Sequence, residues 1–217
     1  LAEDPLDAAF LEQLGEVYRQ LARSDAPKTS VPLLERALAL FNKLTKVFPD
    51  HAHLFAKQGE LLLNLNRPVD ARNSFIHAGK LDDRPEYHLG TAHSLLFERL
   101  YEPAIEILER IQPLTPVDSE FFEKTVLSLG NAYGATGQSE SARKLYQATI
   151  ERAPDITAFR YELGETYIRD GNWDAATTTF RALLPLVEEE PVNLGQTLYG
   201  LARTLERSGE FEESVRM

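Results

Sequence analysis

Histidine pairs are the first residues in this sequence that could do chemistry, because imidazole nitrogens bind transition metals and transfer protons near neutral pH. His51 and His53 are two positions apart, and His88 and His93 are five apart. On a helix, neither spacing places both rings on one face, as a separation of four would. We therefore predict surface or packed histidines and no metal site.

Phosphate binding and acid–base catalysis are two further possibilities. Gly134 and Gly137 lack the Lys-Ser/Thr pair that completes a phosphate-binding loop. The acidic run 188–190 before Pro191 is typical of a solvated link and a helix start, where carboxylates favour the helix dipole. No Ser-His-Asp set stands in a strand-to-helix elbow. The sequence thus predicts no enzyme and no cofactor.

Overall charge limits the kinds of partner. The chain of 217 residues carries 23 Lys and Arg against 34 Asp and Glu, a formal net charge of −11. Such an acidic surface repels nucleic acid and anionic lipid, so neither is an expected partner. No apolar run is long enough to span a membrane, and without cysteine there can be no disulfide.

Small residues recur in a fixed context along the whole chain. The first in each unit are Gly15, Gly59, Gly90, Gly130, Gly164 and Ala202, and the residues three positions later are Tyr18, Leu62, His93, Tyr133, Tyr167 and Leu205. A second small residue with a large one four positions later completes five units: Ala37 with Phe41, Ala71 with Phe75, Ala104 with Leu108, Ala142 with Tyr146, and Ala176 with Phe180. Spacings of three and four indicate helices with one apolar face.

This pattern resembles the tetratricopeptide repeat, a helix–turn–helix unit of about 34 residues. The resemblance implies an all-α fold: antiparallel helix pairs stacked into a right-handed superhelix, or α-solenoid. It predicts one repeat domain over residues 1–217, with the units 5–51, 52–84, 85–118, 119–156, 157–191 and 192–217. Because the last unit stops inside its expected second helix, we expect a fragment of a longer chain, with Phe211 and Val215 exposing apolar surface.

Local departures from the repeat make further predictions. A ten-residue surplus between Gly15 and Ala37 predicts a loop over residues 24–30, which are polar and include Pro27. Gly137 and Gly171 are expected to end first helices, where positive φ favours glycine. Ala142 and Ala176 should be buried between paired helices.

In the repeat family, the first helix of each unit lines the inner surface of the superhelix. Carried over by helical phase, the resemblance predicts a solvent-facing groove that binds a peptide or helix of a partner protein. The predicted groove residues are Lys57, Tyr87, His88, Lys124, Asn131, Tyr161 and Arg203. Lys57, His88 and Lys124 would make its centre neutral to basic, with glutamates such as Glu162 in the outer units, and this favours a partner segment with an acidic or polar centre.

Other interpretations remain open at this point. The same positions could form a merely solvated face. The chain could be a self-association module that pairs through exposed repeat ends, or a regulatory region of a larger protein whose catalytic part lies elsewhere. A clamp for a terminal carboxylate, known in some family members, is not supported, because only Lys124 matches it. The leading prediction is a protein-binding scaffold or adaptor.

Overall fold

Eleven α-helices joined by short connections make up residues 5–24 and 27–209, the part of the chain that this computed structural model describes. No strand occurs in those ranges, so the all-α prediction is confirmed. The helices are α1 (Pro5–Ser24), α2 (Pro27–Val47), α3 (Ala52–Asn64), α4 (Pro68–Leu81), α5 (Pro85–Phe97), α6 (Tyr101–Ile111), α7 (Phe122–Ala135), α8 (Ser139–Arg152), α9 (Thr157–Arg169), α10 (Trp173–Leu183) and α11 (Pro191–Ser208).

The chain forms two compact units. The first is residues 1–114, with α1 to α6, and the second is residues 115–217, with α7 to α11. Inside each unit, every helix packs against the next one along the chain, as α3 does against α4 and α9 against α10. A 3-10 turn follows α6 at Gln112–Leu114, and another follows α10 at Leu184–Leu186.

Hairpin turns in the second unit end their first helix with the same backbone motif. Gly137 has φ +75° and Gly171 has φ +72°, which confirms the prediction that these glycines stop α7 and α9. The next residue then donates its N–H back across the turn: Gln138 N to Tyr133 O at 2.8 Å, and Asn172 N to Tyr167 O at 2.9 Å. This six-to-one bond satisfies a terminal carbonyl that the helix leaves without a donor.

Asn66 and Arg99 take the glycine position in two turns of the first unit. Their φ angles are +57° and +60°, and the N–H of the following residue bonds across the turn in both cases, at 2.8 and 2.9 Å. Asparagine tolerates this conformation, whereas arginine carries the full steric cost of a Cβ. The backbone bond therefore sets the turn, and glycine lowers its cost without being required.

The repeated small and large residues meet as glycine against aromatic ring. A methyl group at Gly164 would lie 2.6 Å from Cζ of Phe180, and one at Gly200 would lie 2.8 Å from the same atom. In the first unit, Phe75 is placed in the same way against Gly59 and Gly90. Phe75 and Phe180 therefore each rest on the backbone of their own first helix and of the next first helix.

Burial of the second small residue follows from this close approach. Ala142 and Ala176 are both 0% exposed, as the repeat predicts. Tyr146 and Phe180, four positions later, are 1% and 0% exposed. None of the described helices is both long enough and apolar enough to cross a membrane.

The predicted loop over residues 24–30 is wrong in most of its length. Helix α2 begins at Pro27 and includes residues 27–30, while Ser24 is the last residue of α1. Proline at the first position of a helix is favourable, because the N–H that it lacks would have no helical partner there. The ten surplus residues therefore lengthen the two helices to 20 and 21 residues. The expected apolar exposure of Phe211 and Val215 concerns residues outside the described ranges.

Enlarging Ala142 tests the tight contact between α7 and α8. We expect Ala142→Leu to lower the free energy of unfolding by about 1–3 kcal/mol, because a fully buried site has no space for the added atoms. Urea denaturation measures the change. The same substitution at Ala175, on the less buried side of α10, is the control, and equal effects at both sites would contradict this packing.

Substitutions of Gly171, in a turn, and Gly195, in a helix, compare the effect of backbone conformation at the two places. A Cβ added at either glycine would have no other group within 4 Å, so steric overlap does not contribute. Gly171→Ala should lower the free energy of unfolding by about 1 kcal/mol, because alanine resists positive φ. Gly195→Ala, inside α11, should raise it by about 1 kcal/mol through helix propensity. Thermal denaturation of both variants checks the opposite signs, and a shift of both in the same direction would show that backbone conformation does not set the difference.

Candidate functional site

Lys57 lies in a cleft of the first unit, between α1 and α3. The cleft has a volume of about 440 Å³ and is lined by Ala9, Glu12, Gln13, Glu16, Phe41 and Lys57. Lys57 Nζ is 3.5 Å from Glu60 Oε2, and Glu16 is bound to Arg19. Three carboxylates, Glu12, Glu16 and Glu60, lie at or beside this cleft with the two cations Lys57 and Arg19, which is more acidic than the neutral-to-basic centre expected from the sequence.

Internal pairing dominates this first-unit cleft. The hydrogen bond from Arg19 holds the pKa of Glu16 below its ordinary value, with Lys57 contributing electrostatically. His53 Nε2 lies 3.5 Å from Glu12 Oε2. Most of its charged side chains are therefore engaged with one another.

Tyr87 and His88 do not face open solvent as expected from the sequence. Tyr87 is 8% exposed and packs in the hydrophobic core of the first unit, and burial raises the pKa of its hydroxyl. The His88 ring lies between Asp83 and Arg110, with Nε2 2.5 Å from Asp83 Oδ1 and Nδ1 3.3 Å from Arg110 Nη2. One residue fills the core and the other links α5 to α6, because consecutive residues of a helix point in different directions.

A second cleft, in the second unit, combines an apolar floor with polar walls. We call it the α9–α11 cleft. It has a volume of about 240 Å³ and is lined by Leu127, Thr157, Ala158, Tyr161, Glu162, Leu183, Val187, Asn193, Gln196 and Thr197. Leu183 and Val187 are each 1% exposed, whereas Tyr161 and Glu162 are half-buried. Of the described residues that line it, Glu162 alone is charged.

Helix α9 positions the two central side chains of this cleft. Gly164 allows Phe180 to pack directly on the α9 backbone, and the Tyr161 ring then meets Phe180 edge-on, with the ring centroids 5.7 Å apart. Tyr161 is thus held by its contact with Phe180, and Glu162, the next residue on α9, also lines the cleft. Burial raises the pKa of the Tyr161 hydroxyl, and Glu165 and Glu162 add to the rise.

Glu162 has an unfavourable electrostatic environment. Burial is the main cause that raises the pKa of its carboxyl group, and the nearby charge of Glu165 adds to the rise, while Arg169 opposes it. Tyr146 on α8 lies close enough that Glu162 contributes to the raised pKa of its buried hydroxyl. Among the described residues, that hydroxyl has no hydrogen-bond partner.

The other predicted groove residues of the second unit lie outside this cleft. Lys124 is exposed, with Nζ 5.7 Å from the centroid of the Phe121 ring, and Asn131 is also exposed. Arg203 Nη1 is 3.0 Å from Glu165 Oε1, so it is already paired. Tyr161 is thus the member of the predicted set that lines the cleft.

Several cleft residues were outside the predicted set. Val187 and Asn193 come from the segment after α10 and the first turn of α11, which the repeat pattern treats as a link and a helix start. Their only signal in the sequence is the extended connection before Pro191. Within the described ranges, no group of three or more His, Asp or Glu side chains is arranged to hold a metal ion.

Comparison with known proteins finds a family match for part of the second unit. Residues 127–191 match the family model described as tetratricopeptide repeat. No curated protein sequence matches the chain. Solved structures do match, at identities low enough that the likeness concerns the fold.

Three such structures illustrate this likeness. MamA from Desulfovibrio magneticus RS-1 is 20% identical, with a TM-score of 0.64 over 81% of this chain and 96% of that one. YrrB, described as a TPR protein with an unusual peptide-binding site, is 19% identical, with a TM-score of 0.60 over 81% and 87%. TPR-like repeats of a putative kinesin light chain from Podosopora anserina are 15% identical, with a TM-score of 0.68 over 84% and 98%.

The raised pKa of Glu162 predicts how stability depends on pH. In the unfolded chain this carboxyl titrates near 4.5, so as the pH falls the folded state binds the proton first and gains stability. We expect Glu162→Gln to be more stable than the parent at about pH 7, and this difference to shrink towards about pH 5. Urea denaturation at several pH values measures it.

Glu98→Gln is the matched control for this prediction. It removes the partner of Arg72 in the first unit and should lower the free energy of unfolding at neutral pH. If Glu162→Gln is destabilised in the same way, the Glu162 carboxylate is not in an unfavourable environment.

Proposed function

We propose that this chain, which is built of tetratricopeptide repeats, is a protein-interaction scaffold that holds a peptide segment of a partner in the α9–α11 cleft. The observation that carries the proposal is the composition of this cleft: an apolar floor, a half-buried tyrosine and two side-chain amides, open to solvent within one unit. Concave sites of this kind, with few polar groups over apolar walls, are typical of ligand binding.

The cleft offers contacts to both parts of a peptide. Leu127 and Tyr161 supply surface for apolar side chains. The amide group of Gln196 can donate to peptide carbonyls and accept from peptide N–H groups. The Asn193 side-chain oxygen can accept as well, while its Nδ2 already donates to Glu190. The described peptide-binding site of YrrB supports the same kind of ligand for this fold.

The cleft around Lys57 is the weaker candidate. Its charged residues already bind one another, as Lys57 does Glu60 and as Glu16 does Arg19, and a ligand would have to replace those contacts. In the α9–α11 cleft, a ligand that binds Glu162 would replace no ion pair among the described residues. The proposed site therefore lies on the second unit.

Self-association remains the alternative function, and one observation favours it. Val192 and Tyr199 of α11 are 73% and 64% exposed, and their separation of seven residues places them on one face of the helix. Sedimentation of the purified chain over a range of concentrations distinguishes this alternative from a monomeric scaffold.

Filling the cleft tests the proposed function. Short peptides selected from a random displayed library against the full chain are labelled, and their affinity is measured by fluorescence anisotropy. Ala158→Trp, which places a large ring in a cleft of about 240 Å³, should weaken binding at least about tenfold. Thr178→Trp, at an exposed position of α10 outside the cleft, should leave binding unchanged.

Circular dichroism confirms that both variants stay folded. If every selected peptide binds Ala158→Trp as tightly as the parent, the cleft is not the binding site and the proposal fails.

A further inference from the structure

Glu162 differs from every other half-buried glutamate in the described part of the chain. Six such glutamates lie within ion-pair distance of an arginine, lysine or histidine: Glu12, Glu16, Glu60, Glu86, Glu98 and Glu165. Glu162 is equally shielded from water and has no such partner among the described residues. Arg169 acts on it electrostatically, yet no ion pair joins the two.

An unpaired carboxylate at this position is costly. Removing an ionised group from water without a counter-charge or hydrogen bonds is unfavourable, and the raised pKa of Glu162 reflects that cost. A cation that entered the cleft would remove part of it. The candidate binding site is therefore lined by a carboxylate that lacks an ion-pair partner among the described residues.

We infer that the α9–α11 cleft takes a lysine or arginine side chain of the partner's peptide segment, with Glu162 as its counter-charge. This inference rests on the proposed function and specifies its ligand. It replaces the acidic partner segment expected from Lys57 and Lys124, because neither lysine lines this cleft.

The walls of the cleft fit a long basic side chain. Leu127 and Ala158, which are half-buried, can pack against its methylene groups, which stay apolar while the charged end reaches the carboxylate. The half-buried Tyr161 ring, next to Glu162 in the sequence, offers a face for a cation–π contact. Asn193 and Gln196 provide amide oxygens for the remaining N–H donors.

Charge outside the cleft acts in the same direction. The chain has a net charge of −11, which favours the approach of a basic segment and raises its association rate at low salt. Glu165, three residues after Glu162 on α9, is already paired with Arg203, so its carboxylate has a cation partner within the chain.

Parallel peptide selections against the parent chain and against Glu162→Gln test this inference. Peptides that bind the parent should carry Lys or Arg at one constant position, and replacing that residue by methionine should weaken binding at least about tenfold. The Glu162→Gln selection should lose this preference, and the methionine replacement should then change affinity little. Glu151→Gln, an exposed acidic position on α8, should behave as the parent does.

A pH series supplies a second measurement. Affinity for the basic peptide should fall as the pH drops through the raised pKa of Glu162, above the range in which an ordinary glutamate titrates. The charged groups that act on Glu162 are Glu165 and Arg169 on α9. The hydroxyl of Tyr146 on α8, whose pKa is raised, stays neutral in this pH range. The affinity of Glu162→Gln should show no such fall.

The outcomes separate the inference from the proposed function. Peptides that are blocked by Ala158→Trp but show no basic residue, or that bind the parent and Glu162→Gln equally, would overturn the role of Glu162 and leave the peptide-binding cleft standing. Peptides that are insensitive to Ala158→Trp would overturn both.

Discussion

The contact of an aromatic ring with a glycine backbone is the constraint on which the rest of this structure depends. Phe180 lies so close to α9 and α11 that a methyl group at Gly164 or Gly200 would overlap the ring. Side chains of normal size at these positions would push the helices apart. Because Gly164 and Gly200 have no Cβ atom, α9 and α11 can both pack directly against Phe180. This contact sets the spacing of the two helices and therefore the width of the cleft between them.

This constraint also explains which features were predictable from sequence. The recurrence of Gly and Ala with large residues at fixed spacing indicates helical hairpins, because only small residues permit that packing, and Ala142 and Ala176 are buried as expected. The turns at Gly137 and Gly171 were predictable because glycine adopts positive φ without steric cost. Local rules were sufficient wherever one residue type satisfies one steric requirement.

Predictions that depended on tertiary placement were less successful. Pro27 was interpreted as a loop residue, although proline at the start of a helix is equally favourable, so the spacing could not distinguish the two. Tyr87 was placed in a groove but packs in the core, since helical phase gives a direction without saying what lies opposite. The importance of Glu162 depends on the absence of a paired cation among the described residues, and no pattern along the chain records that.

The turns at Asn66 and Arg99 show which surface residues of the first unit can be substituted without disturbing its fold. Their closing bonds join backbone atoms, so the side chain at the turn position takes no part in holding the hairpin together. Substitution there changes the charge and shape of the turn edge at the cost of a modest steric penalty. The residue type at these two turns can therefore change without a change in helix packing. New side chains at the turns would give the surface new contacts and leave the cleft as it is.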